Sequence, residues 1–188
     1  MGVADVDAVL LFPGAGSGSD HPSLVAIAEA LAPLPVIRRD FAYRRQGRRA
    51  PDRAPKLVAE VRAEAEAVAA ELGTLPARLA LGGRSMGGRM CSMAVAEGLP
   101  AAALVLVSYP LHPPGKPDRL RVDHFPALRV PCLFVSGTRD AFGSPEELER
   151  HTAAIAGPVT HEWIDGKGHD LRGADAEVAA RIAAWLRA

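Results

Sequence analysis

The chain has 188 residues, and Lys plus Arg match Asp plus Glu at 22 each, so no global field favours nucleic acid, a membrane surface or a polyanionic partner. That length suits one domain spanning residues 1–188 that buries roughly 70% of the surface its unfolded form exposes. Cys91 and Cys132 stand in a helix-like and a strand-like run with neither metal-ligand nor C-x-x-C spacing, which excludes a disulfide framework and points to two buried thiols.

The amino-terminal stretch "MGVADVDAVLLFPG" has no basic segment, and its apolar run ends after about seven residues, short of a signal peptide and far short of a membrane span. The expectation is a cytosolic protein that needs neither metal nor cofactor. Val6 to Phe12 reads as a first strand, and Ser23 to Leu31 as a helix with Ser23 as its N-cap. Val36 to Phe41 reads as a second strand, Ala42 to Ala54 as an arginine-rich polar loop, and Pro55 to Leu72 as the longest helix, started by Pro55 and stopped by Gly73.

Arg78 to Gly82 is the third strand, entering "GGRSMGGR", and Ser85 to Glu97 the helix after it. Ala102 to Ser108 is continuously apolar, as expected of a strand buried on both faces. Tyr109 to Val130 is Pro-rich with little periodicity. Pro131 to Ser136 is a strand, Ser144 to Ile155 a helix capped by Ser144, Thr160 to Ile164 the last strand, and Asp175 to Leu186 the closing helix. Short aliphatic runs alternating with Ala-rich amphipathic ones predict a parallel sheet of about six strands with helices on both faces.

Gly83-Arg84-Ser85-Met86-Gly87 fits G-x-S-x-G in the context where the motif has a mechanical meaning, between a strand and a helix. A sharp turn there lifts the serine hydroxyl clear of the sheet, Gly83 and Gly87 leave room for it, and the following helix aims N–H groups at the same spot. Serine needs a base, and the base an orienting acid. Asp140 follows the strand "PCLFVSG" and His169 follows the strand "THEWI", in the order Ser, Asp, His, and all loops after parallel strands open on one edge. Asp165 and Asp170 are nearer His169 in sequence but follow no strand adjacent to the serine's, so each is a poorer orienter.

In the loop "FPGAGSGSDHPS" the residue after Gly14 is placed to donate a second N–H to an oxyanion; Ala15 is the first choice and Gly16 the next, beside Met86 at the helix start. The same glycines suggest a dinucleotide fingerprint with Asp40 as the ribose acid. That match fails, because Ser19 stands at the third glycine and the helix starts too late.

Together "FPGAG", "GRSMGGR", "YPLHPPGKP", "SGTRDAFG" and "DGKGHD" resemble the α/β-hydrolase superfamily over nearly the whole chain. More narrowly, they are similar to its small, cap-free members related to dienelactone hydrolases and to the hydrolase-like subunits of a histone-acetylation complex. The resemblance implies a three-layer α/β-hydrolase fold without a lid domain, a Ser85, Asp140, His169 triad, and hydrolysis of small carboxylic esters or thioesters through an acyl-enzyme. Pro13 departs from the histidine usual before Gly14.

Around this chemistry the substrate-binding candidates are Gly14, Gly16, Arg84 and His112, the last in the Tyr109 to His124 segment expected to wall the cleft. Arg84 has two readings, an ion pair that holds the elbow or a contact to an acyl carboxylate. The arginines around residues 38 to 53 read as a solvated, salt-bridged surface. The competing expectation for the whole molecule is a hydrolase-fold interaction module with a vestigial triad.

Overall fold

The computed structural model describes residues 6–188; the reading of residues 1–5 lies outside them. Six strands, β1 (Ala8–Phe12), β2 (Val36–Arg38), β3 (Leu79–Arg84), β4 (Ala103–Val107), β5 (Cys132–Gly137) and β6 (Val159–Ile164), form one sheet in the order β2-β1-β3-β4-β5-β6. Every neighbouring pair is parallel. Parallel neighbours need crossovers, and the helices α1 (Pro22–Leu31), α2 (Ala42–Arg45), α3 (Ala54–Leu72), α4 (Met86–Ala96) and α5 (Pro145–Thr152) lie in connections between strands, while α6 (Asp175–Arg187) follows β6.

Because side chains alternate across a strand, the sheet sorts its apolar residues into two layers. Leu10, Phe12, Leu81, Leu104, Leu106 and Phe134 pack against α3, α4 and α5 through Val61, Val68, Met90, Ala94 and Leu148. Val9, Leu11, Val105, Val107, Leu133 and Val135 pack against α1 and α6 through Leu24, Ile27, Val178 and Ile182. All five residues of β4 are buried, as its unbroken apolar run requires. Between β4 and β5 the described residues hold only a single 3₁₀ turn, Phe125–Ala127, and no helical lid.

Most expected boundaries move by a few residues, among them the start of β1 at Ala8 and the end of α5 at Thr152. β2 ends at Arg38, and the segment expected as loop contains α2, whose first N–H, on Ala42, donates to Glu60 Oε2 of α3 at 2.7 Å. The cap of that helix is supplied from another element, so no local signal announces it. α1 begins at Pro22, not Ser23; Pro22 fixes the first helical φ, and the N-cap is His21, whose Nδ1 accepts from Ser23 N–H at 3.3 Å. Ser144 and Gly73 act as expected. Ser144 Oγ accepts from Glu147 N–H, Glu147 Oε2 accepts from Ser144 N–H, and Gly73 closes α3 in the left-handed region at φ 65°.

Candidate active site

The strand order reverses direction between β1 and β3, and there the loops after their carboxyl ends part to leave a crevice. Ser85 stands at this edge as the N-cap of α4 with φ 49°, a left-handed backbone rare for any residue but glycine, and its N–H donates to Val107 O at 2.8 Å. The flanking glycines have a specific reason. A Cβ on Gly83 would lie 2.0 Å from Phe12 O, and one on Gly87 2.2 Å from the same oxygen. The end of β1 thus runs directly over the elbow, closer than any side chain permits.

Asp140 and His169 come from the loops after β5 and β6, and those loops are bolted together. Arg139 N–H donates to Lys167 O at 2.8 Å, and a Cβ on Gly137 would lie 2.1 Å from that same carbonyl. His169 Nδ1 is 2.8 Å from Asp140 Oδ2 and 3.0 Å from Oδ1, and its Nε2 is 2.8 Å from Ser85 Oγ. With the Nδ1 proton directed at the carboxylate, Nε2 is the acceptor facing the hydroxyl. The Asp140 side chain is 1% exposed and also accepts from Phe142 N–H at 2.8 Å, while the Phe142 ring stacks on the imidazole at 3.9 Å between centroids. His169 is thereby held by its edge and by its face. Asp165 turns instead to Thr138 Oγ1, from which it accepts at 3.2 Å.

The loop after β1 is pinned from outside. Tyr43 OH donates to Ala15 O at 2.9 Å, Asp40 accepts from Ser19 N–H and Oγ at 2.8 and 3.1 Å, and Arg38 donates to Ser19 O at 2.6 Å. Asp40, which the sequence could suggest as a ribose ligand, is therefore engaged by its own neighbouring loop. Met86 is the first residue of α4, so its N–H has no partner within the helix, and both it and Ala15 border the crevice.

The crevice has a volume of about 710 Å³. Gly14, Ala15, Gly16, Arg84, Ser85, Met86 and His169 line it, as do Asp170, Pro110 and Arg121, and also His21, Arg89 and Phe142, to which no motif pointed. The Tyr109 to His124 segment does contribute a wall, but through Pro110 and Arg121. His112 is a correction: it does not line the crevice, because its N–H donates to Phe142 O at 3.0 Å and its ring lies between Pro113 O and Glu147. His124 likewise points into the α4 layer, 2.8 Å from Ser92 Oγ, where burial lowers its pKa to about 4.

Arg84 follows neither expected reading alone. Its Nη2 donates to His169 O at 3.0 Å, tying the elbow to the loop that carries His169 through a carbonyl instead of a carboxylate, while desolvation holds its pKa below the usual arginine value. The outer arginines do pair, Arg39 and Arg45 with Glu64 and Arg48 with Asp52. Both cysteines are buried, and desolvation raises Cys132 to about 12. Among the described residues no cluster of three or more His, Cys, Asp or Glu is arranged to hold a metal, and no helix is long and apolar enough to cross a membrane.

Comparison with known proteins agrees with this architecture. A family model described as an alpha/beta hydrolase domain matches residues 5–185. Uncharacterized proteins from two strains of Mycobacterium tuberculosis are 32% identical over 176 residues, covering 82% of this chain and 60% of theirs, so the chain spans about three fifths of those relatives. Two solved structures superpose closely. An alpha-beta serine hydrolase homologue from Coxiella burnetii has a TM-score of 0.76 at 17% identity, covering 96% of this chain and 85% of that one. A dienelactone hydrolase from Anabaena variabilis has a TM-score of 0.75 at 19% identity, covering 100% and 88%.

Proposed function

Because the chain belongs to the α/β-hydrolase family, we propose that it is a serine hydrolase cleaving small carboxylic esters or thioesters through an acyl-enzyme on Ser85. The observation that carries this reading is the unbroken relay from Ser85 Oγ to His169 Nε2 at 2.8 Å and from His169 Nδ1 to Asp140 Oδ2 at 2.8 Å. Distances in this range are those at which a hydroxyl proton passes to an imidazole as the oxygen attacks a carbonyl.

In the first half-reaction His169 takes the proton of Ser85, and Asp140, acceptor of the Nδ1 proton, stabilises the imidazolium that forms. The negative charge arriving on the carbonyl oxygen falls between the N–H groups of Met86 and Ala15, each such donor being worth about 3 kcal/mol in the transition state. His169 then gives its proton to the leaving alcohol or thiol. In the second half-reaction it takes a proton from water, hydroxide adds to the acyl carbon, and Ser85 leaves with the proton returned. The strained Ser85 backbone fits this role, since a φ of 49° is retained against a cost of about 1–3 kcal/mol where it presents a reacting group.

The test is labelling by a fluorophosphonate probe together with turnover of a short-chain 4-nitrophenyl ester, in wild type and in Ser85→Ala. Labelling and turnover that both vanish in the variant are expected. A folded wild type that neither labels nor turns over would overturn the reading in favour of an interaction module with a vestigial triad.

A further inference from the structure

Two arginines of the crevice stand without an acid. Arg89 lies one helical turn beyond the nucleophile, its N–H donating to Ser85 O at 3.1 Å, so its side chain leaves α4 on the same face as Ser85. Arg121 comes from the segment that follows β4 and lines the same crevice. Its N–H donates to Leu111 O at 2.9 Å and its carbonyl accepts from Tyr109 OH at 2.7 Å, which fixes its backbone beside the crevice.

Several arginines outside the crevice are paired. Arg39, Arg45, Arg48 and Arg181 each meet a carboxylate at 3.2 Å or less. Among the described residues neither Arg89 nor Arg121 forms an ion pair, and Arg89 Nε is buried with no acceptor. Desolvation first, and then the neighbouring charges of Arg89 and Arg119, disfavour the charge on Arg121. Arg84 Nε is likewise buried without an acceptor, but Arg84 differs in that its Nη2 is committed to His169 O and Asp170, Asp140 and Asp175 lie around it. Two like charges and a buried unsatisfied donor beside a cleft are costly when it is empty, and an oxyanion taking both guanidinium groups removes that cost.

We propose that Arg89 and Arg121 form an anion subsite beside Ser85, so that the preferred substrate is an ester carrying a carboxylate or phosphate group at a short distance from its scissile carbonyl. The choice of substrate rests on the serine-hydrolase reading; the binding of the anion does not. For a half-ester of a dicarboxylic acid, Ser85 Oγ bonds to the ester carbon, the C–O bond to the alcohol breaks, and the alcohol leaves with the proton held by His169. Water then releases the dicarboxylate and restores Ser85.

Binding is tested first, by calorimetric titration of the full chain with glutarate and, separately, inorganic phosphate, in wild type and in Arg89→Gln/Arg121→Gln. Binding by wild type that weakens at least about tenfold in the double variant is expected, the loss of one or more charge-assisted hydrogen bonds. Kinetics then compare 4-nitrophenyl hydrogen glutarate with its methyl-capped neutral counterpart and with the 4-phosphonobutanoate ester. The expected kcat/KM for one charged ester exceeds the neutral one by about tenfold or more, an advantage that high salt and the double variant reduce. The larger of the two charged rates names the anion.

If the double variant does not fold, Arg89→Lys and Arg121→Lys, which keep charge but lose the fork, are expected to keep only part of the preference. Ser85-dependent turnover with no preference for charge would overturn the subsite and leave the hydrolase reading intact. Anion binding lost in the variants without any turnover would do the reverse. A wild type that binds neither anion at millimolar concentration, or binds it equally well in the double variant, would sink the proposal outright.

Discussion

At the scale of the residue, each partner of Ser85 is held by something other than the relay itself. Asp140 accepts from Phe142 N–H as well as from His169, and Phe142 in turn stacks on the imidazole, so the carboxylate and the imidazole share one support. Asp140→Asn tests what the carboxylate contributes beyond position. The amide keeps the shape of the side chain but lacks the charge that stabilises an imidazolium, and it can turn its NH2 towards Nδ1 and so select the wrong tautomer. The expected result is a fall in kcat of about 10³–10⁴-fold with KM little changed, read by steady-state hydrolysis of a 4-nitrophenyl ester. A loss below about tenfold would mean that another group orients His169. The positions of these three residues were legible because G-x-S-x-G, the order Ser, Asp, His and the strand ends are all one-dimensional features. The direction of His112 was not, since a residue on a Pro-bracketed loop is aimed by tertiary bonds that no spacing encodes, here from its backbone N–H to Phe142 O and from its ring to Glu147. Phe142 and Tyr43 escaped for the same reason.

At the scale of the element, the elbow works because two backbones approach each other within the radius of a methyl group. The central strands β1, β4 and β5 were visible because aliphatic runs buried on both faces leave an unbroken apolar signature, and the partly buried edge strands β2 and β6 were visible from their β-branched residues. The short helix α2 was not, because Glu60 of α3 supplies its cap. The contact between β1 and α4 explains the glycines more fully than the motif does. At Gly87 a Cβ would lie 2.2 Å from Phe12 O, 2.6 Å from Phe12 C and 2.7 Å from Pro13 O, all backbone atoms with little freedom to yield. Gly87→Ala therefore has to push the end of β1 away from α4, and the loop carrying Ala15 moves with it. We expect a loss of about 1–3 kcal/mol in denaturant stability, the usual cost of overpacking. We also expect a fall in kcat of a hundredfold or more, since misplacement by about 1 Å at a reacting centre has that effect. Full stability with full activity in this variant would show that the two backbones are not in fact locked.

At the scale of the whole molecule, folding takes several histidines out of water without giving them a charged partner close enough to keep them protonated. His124 is lowered to about 4, by desolvation first and then by Arg89; His161 is lowered by desolvation, and His21 by desolvation and then by Arg84. Each binds its proton more weakly folded than unfolded, so the unfolded chain takes up more protons as pH falls below the ordinary histidine value of 6.5, and stability falls with it. The stabilising difference is complete above 6.5. It is lost as pH drops through each folded value, down to about 4 for His124, whose share is at most about 3 kcal/mol. The carboxylates act in a separate window. Asp7, held by Arg78 and Thr74, and Asp52, held by Arg48 and Lys56, both lie at about 2 against an ordinary 3.8, so their contribution persists until pH falls below about 4. Urea midpoints measured from pH 8 to pH 4.5 should accordingly be level down to about 7 and then decline, before any carboxylate in these pairs has begun to protonate. His124→Gln retains a partner for Ser92 Oγ but cannot titrate, and its decline over the same range should be visibly shallower. A wild-type midpoint that stays level from pH 7 to pH 5, or a variant whose slope equals that of wild type, would show that these imidazoles reach water in the folded protein.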